Sequence, residues 1–330
     1  MPDLALTVVS SGISWVQDLG RYGASHLGFP VGGSSDQYSA QCANALVGNP
    51  FGAPHIEITG SELSFLADAH ALICVTGAEC DVEVDGLAQP QWVPLVLHPG
   101  QHVRISSPRL GQRTYLAISG QILAETLVGS VSPDLSLRNG HILRPGEVVR
   151  VDTPFLGHDH PYGRVPLLRP KVRPIRLSHA LTVRVLPGPD WDACDGPGGW
   201  LFDSDFFVAK PSNSVGLRLN GPTNPRPPAE VVSRGVPIGA IETPSSSGGL
   251  IVLLRARMLT AGYPVVAVAA SVDQSLLGQA SPGDRIRFQP VSLPDATRLW
   301  RAERSELGRL ARTVRTLFGA AGVKVGATLA

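Results

Sequence analysis

Apolar side chains in this 330-residue chain fall mainly at alternate positions or in short runs of four to six residues. These segments are rich in aliphatic and β-branched residues, and Gly, Pro, Asp or Ser bound them, which is typical of strands that end in turns. The predicted strands are residues 4–9, 71–75, 81–84, 102–105, 114–118, 148–151, 181–186, 216–219, 250–254, 265–269 and 285–288. The pattern predicts a mainly β protein, with a hairpin at Asp85-Gly86.

Helical spacing of apolar residues occurs in only two places. Residues 37–46 place Tyr38, Cys42 and Leu46 on one face, and Asp36 stands where it can cap the first turn. Residues 294–318 carry apolar side chains at helical spacing opposite a basic face. We therefore expect few helices and a C-terminal helix, whose apolar face docks either on the second half of the chain or on a partner.

Two short sequence patterns recur along the chain and indicate a repeated β architecture. A Pro-Gly turn followed by a strand that alternates apolar residues with Arg occurs three times, so the arginines at positions 104, 150 and 287 are predicted to face solvent. The tetrapeptide Ala-Leu-Thr-Val occurs at 5–8 and again at 180–183. A proline-rich stretch between the halves is typical of an extended connector. We predict a first β unit at 1–153, a linker at 154–178, a second β unit at 179–292 and a helical extension at 293–330.

Composition narrows the class of protein. A formal charge of +1 gives no electrostatic reason to expect nucleic acid or a membrane surface as a partner, and apolar runs are too short to span a bilayer. A cytoplasmic protein is the default expectation. The four cysteines form no Cys-x-x-Cys pair, and His158-Asp159-His160 lies in a proline-rich stretch, so no metal site is predicted.

The run from Gly12 to Glu57 concentrates polar side chains among glycines. Carboxylates, amides and a guanidinium of this kind can orient a planar amide, urea or carboxylate. The candidates are Gln17, Asp18, Arg21, Asp36, Asn44 and Glu57. A purely structural interpretation stays open, in which Asp18 and Arg21 brace a turn, Asp36 caps a helix, and Asn44 satisfies buried backbone.

The second half places hydroxyls, amides and one Arg in turns beside predicted strands. These candidates are Ser212, Asn213, Arg218, Ser233 and Tyr263. The chain has no phosphate-binding Gly-x-x-x-x-Gly-Lys-Ser/Thr loop and no Gly-x-Ser-x-Gly elbow, so neither nucleotide binding by a familiar loop nor a serine hydrolase is indicated.

The same segments resemble a carboxyltransferase-like family that includes the C subunit of bacterial 5-oxoprolinase, allophanate hydrolase subunit 2, the antagonist KipA and the carboxyltransferase region of urea carboxylase. The resemblance runs from about residue 12 to residue 291. The motifs that carry it include Val16-Gln17-Asp18-x-Gly20-Arg21, Gly33-x-x-Asp36, Ala43-Asn44-x-Leu46-Val47-Gly48-Asn49, Glu57-x-Thr59, Val75-Thr76-Gly77-Ala78, Gly216-x-Arg218-Leu219 and Gly262-Tyr263-Pro264.

The resemblance implies two cyclophilin-like β-barrel units and an enzyme of several subunits. It implies ATP-dependent opening of 5-oxoproline, or carboxyl transfer from biotin to an amide-like acceptor. The implied partners are a smaller protein, homologous to the B subunit of 5-oxoprolinase or to subunit 1 of allophanate hydrolase, together with either the A subunit of 5-oxoprolinase or a biotin carboxylase. These partners would present ATP or carboxybiotin. In this interpretation Gln17, Asp18, Arg21, Asp36, Glu57 and Arg218 are catalytic, and Asn44, Thr76, Ser212, Asn213, Ser233 and Tyr263 bind substrate.

Some positions depart from the family pattern, mostly in the second half. Asn213 and Ser214 stand where an acid and a guanidinium are usual, Glu242 replaces a usual Gln, and Val131 interrupts a usual Gly-Ser-Arg-Ser element. These departures favour an alternative, namely a non-catalytic binding or regulatory protein of the KipA type that keeps the partner interface.

Overall fold

A computed structural model describes residues 3–134, 137, 139–157, 169–194, 199–224, 231–244 and 249–325. The His158-Asp159-His160 stretch and much of the predicted linker lie outside the described residues. The strands are β1 (Asp3–Ser11), β2 (Ser14–Gln17), β3 (His55–Thr59), β4 (Leu63–Ala67), β5 (Ala71–Glu79), β6 (Val82–Val84), β7 (Leu87–Gln89), β8 (Leu95–Leu97), β9 (His102–Ile105), β10 (Leu110–Ile118), β11 (Gln121–Ile122), β12 (Val148–Asp152), β13 (Ala180–Pro187), β14 (Phe206–Val208), β15 (Gly216–Asn220), β16 (Arg234–Gly235), β17 (Ala240–Glu242), β18 (Gly249–Leu253), β19 (Thr260–Ala261), β20 (Val265–Ala269) and β21 (Arg285–Pro290). The helices are α1 (Gln37–Leu46), α2 (Trp191–Cys194), α3 (Trp200–Asp203), α4 (Gln274–Gly278) and α5 (Leu293–Ala320).

The predicted mainly β fold with few helices is confirmed. Each strand predicted from apolar alternation is present, and Asp85 and Gly86 take the positive φ values, 50° and 76°, that a tight hairpin between β6 and β7 requires. Both predicted helices are present as α1 and α5. The repeated arginines at 104, 150 and 287 are exposed, as alternation predicts.

The chain forms two compact units that are interleaved along the sequence. Unit 1 consists of Met1–Gly20, Gln37–Arg176 and Arg304–Ala330, and unit 2 consists of Arg21–Asp36 and Leu177–Glu303. A short stretch of the first half therefore belongs to unit 2. The last stretch of the chain belongs to unit 1.

Unit 1 is built from two sheets with an apolar core between them. The strand order is β11-β12-β1-β4-β9-β6-β7 in one sheet and β2-β3-β10-β5-β8 in the other. Both sheets contribute to the core, for example through Leu4 and Phe65 from the first and Val16, Ile56 and Leu116 from the second. On the second sheet, the side chains at the alternate positions point away from this core. They lie on the opposite face of the sheet, against which α1 packs.

Helix α5 contributes its apolar face to unit 1. Leu307, Leu310, Val314 and Phe318 recur at helical spacing and are buried in one cluster with residues of α1, β5 and β10. Docking on the second half of the chain, one of the two options considered from sequence, is therefore wrong for this face.

Unit 2 contains a closed seven-stranded barrel of order β13-β20-β17-β18-β15-β14-β21. It closes through a parallel pairing of β13 with β21, and its interior is filled by alternating apolar residues such as Val183, Leu219, Val252 and Phe288. Strands β16 and β19 form a separate two-stranded antiparallel sheet outside the barrel's hydrogen-bonded ring.

Two further properties bear on function. In the described part of the chain, no helix is both long and apolar enough to cross a bilayer. Over the same residues, no three His, Cys, Asp or Glu side chains come together as a metal site would need.

Candidate functional site

A row of polar side chains crosses the five-stranded sheet of unit 1. Gln17 on β2 pairs in register with His55 on β3, and Glu57 on β3 pairs with Tyr115 on β10, which in turn pairs with Thr76 on β5. Alternate residues of a strand share a face, so His55 and Glu57 point to the same side. All five residues are buried. The sheet therefore presents a continuous polar row on the face that packs against α1.

Glu57 is held in the middle of this row. The Tyr115 hydroxyl donates a hydrogen bond of 2.8 Å to its Oε2, and the Arg113 guanidinium Nε lies 3.8 Å from its Oε1. A Cβ at Gly77 would lie 2.3 Å from the Arg113 carbonyl oxygen, so glycine is needed here for β5 to approach β10. The pairing of β10 with β5 places Thr76 opposite Tyr115, and the pairing of β10 with β3 places Tyr115 against Glu57.

His55, which sequence reasoning missed, lies beside Asn44. Asn44 Nδ2 is 3.4 Å from His55 Nδ1 and donates hydrogen bonds to the carbonyl oxygens of Phe51 and Ala53, at 3.2 and 2.8 Å. Burial lowers the pKa of the His55 imidazole to about 4, although the Ala53 carbonyl and the Asp18 charge act in the opposite direction. The imidazole is therefore neutral at pH 7. The alternation of His55, Glu57 and Thr59 was the signal that could have found it.

Asp18 follows β2 and is surrounded by donors. Its Oδ1 accepts hydrogen bonds from the Ser130 and Ser132 hydroxyls at 2.7 and 2.6 Å and from the Gly20 N–H at 2.8 Å. Its Oδ2 accepts one from the Val131 N–H at 3.0 Å. The Gly-Ser-Val-Ser element thus anchors the Asp18 carboxylate, and this geometry suits a positioning role better than proton transfer.

Gln17 contributes to the row a polar atom that receives no hydrogen bond from the described residues. Its side chain is 7% exposed, and its Oε1 is buried with no hydrogen-bond donor among the described residues. Thr76, by contrast, donates its hydroxyl to the Ser39 carbonyl oxygen at 2.8 Å. A buried acceptor without a donor is costly, so Gln17 Oε1 is the atom of this row that is most ready to accept a ligand N–H.

Two residues of the predicted first-half site belong to unit 2. Arg21 is 2% exposed, and its backbone N–H donates to the Val31 carbonyl oxygen at 2.7 Å. Asp36 is fully buried, and its Oδ2 accepts a 2.8 Å hydrogen bond from Gln279 Nε2. The structure therefore brings Gln17, Asp18, Asn44, Glu57 and Thr76 together within unit 1 and assigns Arg21 and Asp36 to unit 2.

The second-half candidates lie in surface turns of unit 2, except for Arg218, which lies on β15. The Ser212 hydroxyl accepts from the Arg218 N–H at 3.0 Å, and Asn213 Oδ1 accepts from the N–H of Val215 at 2.9 Å. The side chains of Arg218 and Ser233 are exposed. Tyr263 is 36% exposed and precedes β20. These contacts organise the turns, and the outward side chains remain accessible.

Among the buried charged residues of unit 2 that the sequence did not single out as a site are Glu242, Arg255 and Arg257. Glu242 on β17 is 2% exposed, its Oε1 has no donor among the described residues, and burial raises its pKa to about 7. Arg255 and Arg257, between β18 and β19, are 6% and 8% exposed. Glu242 and Arg257 each contain buried polar atoms that lack a partner in the described structure. A single sequence gives no measure of burial, so the only signal among these residues was that Glu242 stands where the family usually has a Gln.

Comparison with known proteins matches residues 27–290 to the family model described as carboxyltransferase domain, subdomain A and B. The C subunit of 5-oxoprolinase from Escherichia coli K12 is 30% identical over 299 residues, covering 88% of this chain and 93% of the relative. The crystal structure of TTHA0988 superposes with a TM-score of 0.73 at 31% identity, over 86% of this chain and 56% of the other. For the urea amidolyase of K. lactis the TM-score is 0.81 at 25% identity, over 93% of this chain and 20% of the other. The chain thus spans about half of the first of these structures and a fifth of the second.

Proposed function

We propose that this chain, which belongs to the carboxyltransferase-domain family of subdomains A and B, is one subunit of an enzyme. The proposed enzyme acts on a cyclic amide or urea-like substrate. The observation that carries this proposal is the 30% identity to the C subunit of a 5-oxoprolinase over 93% of that relative's length. The polar row of unit 1 supports it, because its amide, imidazole and carboxylate groups match the donors and acceptors of an amide substrate.

In this proposal the row binds and polarises the amide group. Gln17 Oε1 accepts the substrate N–H, Glu57 is the carboxylate that orients an attacking group, and Asp18 holds the end of β2, which carries Gln17, against the Ser130–Ser132 segment.

ATP or carboxybiotin is proposed to come from partner proteins, and no residue of this chain is assigned to hold either. One proposed partner is a smaller homologue of the B subunit of 5-oxoprolinase or of subunit 1 of allophanate hydrolase. The other is a homologue of the A subunit of 5-oxoprolinase or a biotin carboxylase. Which pair is present decides between lactam opening and carboxyl transfer.

The test is reconstitution with the products of the neighbouring genes. The purified complex is assayed for ATP hydrolysis that depends on 5-oxoproline, and separately for hydrolysis that depends on urea with bicarbonate. We expect one of the two substrates to stimulate turnover. A complex that assembles but responds to neither contradicts the proposal.

A Gln17→Ala variant links turnover to the polar row. Because Gln17 Oε1 has no donor among the described residues, its removal should leave folding intact while lowering kcat/KM by about 10²-fold. Gln121→Ala, on an exposed position of β11, is the matched control and should keep full activity. Equal kcat/KM values for the two variants would show that Gln17 does not take part in the site.

A binding or regulatory role without chemistry is the second candidate. The saturation of the Asp18 carboxylate by four donors favours it, because that carboxylate is committed to holding the structure. For this role we expect the chain to assemble with the partner proteins and to change their own activity. We expect no substrate-dependent turnover in any combination of the proteins.

A further inference from the structure

We propose that a cavity of unit 1 is a binding site for an amphipathic anion, a small molecule with one aliphatic chain and one carboxylate or phosphate head group. The cavity has a volume of about 640 Å³ and lies between the end of α1, the loop that follows α1, the second half of α5 and residues 323–325. All of these segments belong to unit 1. A volume of several hundred Å³ is typical of small-molecule sites. The site is separate from the polar row, none of whose residues lines the cavity.

The inner wall of the cavity is apolar. Phe318 and Val323 are buried, and Phe51, Ala311 and Val325 are partly buried against the same hydrophobic cluster. An aliphatic chain that occupies the cavity covers the remaining exposed surface of these side chains and removes its own surface from water. The wall therefore favours a ligand with an apolar chain.

The charged residues of the cavity are both basic. Arg315 and Lys324 line it and are exposed, and no Asp or Glu is among the described residues that line it. A third cation lies nearby, because the Arg304 guanidinium is 6.0 Å from the centre of the Phe51 ring. The Nη1 of Arg304 donates to the neutral amide oxygen of Gln41 at 2.9 Å, a contact that does not cancel its charge. The mouth of the cavity is therefore positive and favours an anionic head group over a cationic one.

The loop that forms one wall is held by hydrogen bonds to the sheet and to α1. Asn49 Nδ2 donates to the Ile118 carbonyl oxygen at 2.7 Å, and its Oδ1 accepts from the Gly120 N–H at 2.8 Å. Asn44 Nδ2 donates to the Phe51 carbonyl oxygen at 3.2 Å. These contacts fix the backbone on both sides of the turn that presents the Phe51 ring.

The opposite wall is also fixed. The Val323 N–H donates to the Phe318 carbonyl oxygen at 2.9 Å, which returns the chain to the end of α5. A Cβ at Gly48 would lie 2.7 Å from the Val325 side chain, so the glycine allows this segment to approach the loop after α1. Walls that are ordered before a ligand arrives lose little entropy when it binds. The cavity is therefore preorganised.

Ammonium and guanidinium groups bind carboxylates and phosphates through the same charge-assisted hydrogen bonds. The structure thus defines the ligand by two properties, an apolar chain and a negative head group, and four probes separate them. Octanoate and octyl phosphate have both properties and differ in the head group. Octylammonium keeps the chain and reverses the charge, and acetate keeps the charge without the chain.

The experiment measures binding of each probe to the full chain without partner proteins, by calorimetry at low ionic strength. We expect octanoate, octyl phosphate or both to bind about tenfold more tightly than octylammonium, because the basic rim repels a cation. Acetate should give no measurable binding. Lys324→Glu should weaken the binding of the anionic probes about fivefold, whereas Lys210→Glu, at an exposed position of unit 2, should bind normally.

A second variant tests the apolar wall. Ala311→Phe places a large side chain in the cavity and should abolish binding of every eight-carbon probe. Ala302→Phe, at an exposed position of the same helix, is the matched control and should bind normally. Circular dichroism of both variants checks that the fold is kept. If Ala311→Phe does not fold, the charge variants and the four probes still decide the outcome.

Several results would overturn the proposal. Equal affinity for octanoate and octylammonium would show that the rim does not select an anion. No binding by any probe, or binding that a folded Ala311→Phe variant leaves unchanged, would show that the cavity is not the site. Binding that appears only after deletion of residues 326–330 would mean that the chain's own terminal segment is the occupant. These measurements use no partner and no turnover, so they succeed or fail independently of the reconstitution assay.

Discussion

At the scale of single residues, His55 and Glu242 are ionisable groups whose burial favours the neutral form. His55 lies in the polar row of unit 1 with a pKa of about 4, and Glu242 lies on β17 of unit 2 with a pKa of about 7. In each case desolvation disfavours the charged form. The two residues therefore have opposite effects on the pH dependence of stability.

His55 should make the protein less stable in mild acid. Its pKa is lower in the folded state, about 4, than the ordinary value of 6.5, so the unfolded chain takes up the proton first as the pH falls. The free energy of unfolding should fall between pH 6.5 and 4, by roughly 3 kcal/mol for this group. Denaturant titrations across this range should show a shallower pH dependence in His55→Gln than in wild type. Parallel curves for the two proteins contradict the lowered pKa.

Glu242 should act in the opposite direction. Its pKa is higher in the folded state, about 7, than the ordinary value of 4.5, so the folded chain holds the proton longer. Stability should fall as the pH rises from 4.5 to 7. Glu242→Gln should therefore be about 1–3 kcal/mol more stable than wild type at pH 8 and similar at pH 4.5. Glu125→Gln, an exposed control, should show neither change. Equal stability of Glu242→Gln and wild type at pH 8 counts against a neutral Glu242.

At the scale of elements, periodicity predicted the fold well where one face of an element is apolar. The regions of α1 and α5 and the long strands β1, β5, β10 and β13 were identified from apolar spacing alone. Strand β3 was missed because His55, Glu57 and Thr59 alternate with Ile56 and Ile58, and the polar face was interpreted only as a site. Strand β17 was missed because three residues give no measurable period.

The apolar face of α5 should contribute substantially to the stability of unit 1. Phe318 is 1% exposed within the cluster that also contains residues of α1. Phe318→Ala should lower the free energy of unfolding by about 3–5 kcal/mol, because it removes a buried aromatic ring and leaves a cavity. Thr313→Ala, on the exposed side of the same helix, should change it by less than about 0.5 kcal/mol. Similar unfolding midpoints for both variants mean that α5 does not pack there in solution.

At the scale of the whole molecule, the candidate site was predicted by residue type but not by location. Gln17, Asp18, Asn44 and Glu57 share unit 1, as their grouping along the chain suggests. Arg21 stands only three residues after Asp18, yet it belongs to unit 2. The separation of two residues along the sequence does not show whether they belong to the same unit. Tertiary contacts alone decide which unit a segment joins.

The interleaving of the two units also constrains how the protein can be made. A ribosome releases the chain from its N-terminal side, and a domain completes its fold only after all its segments have emerged. Unit 1 includes Arg304–Ala330, which is synthesised after every residue of unit 2. The sheets of unit 1 must therefore wait until translation has passed the barrel of unit 2 before the apolar face of α5 can join the residues of α1 in their common cluster.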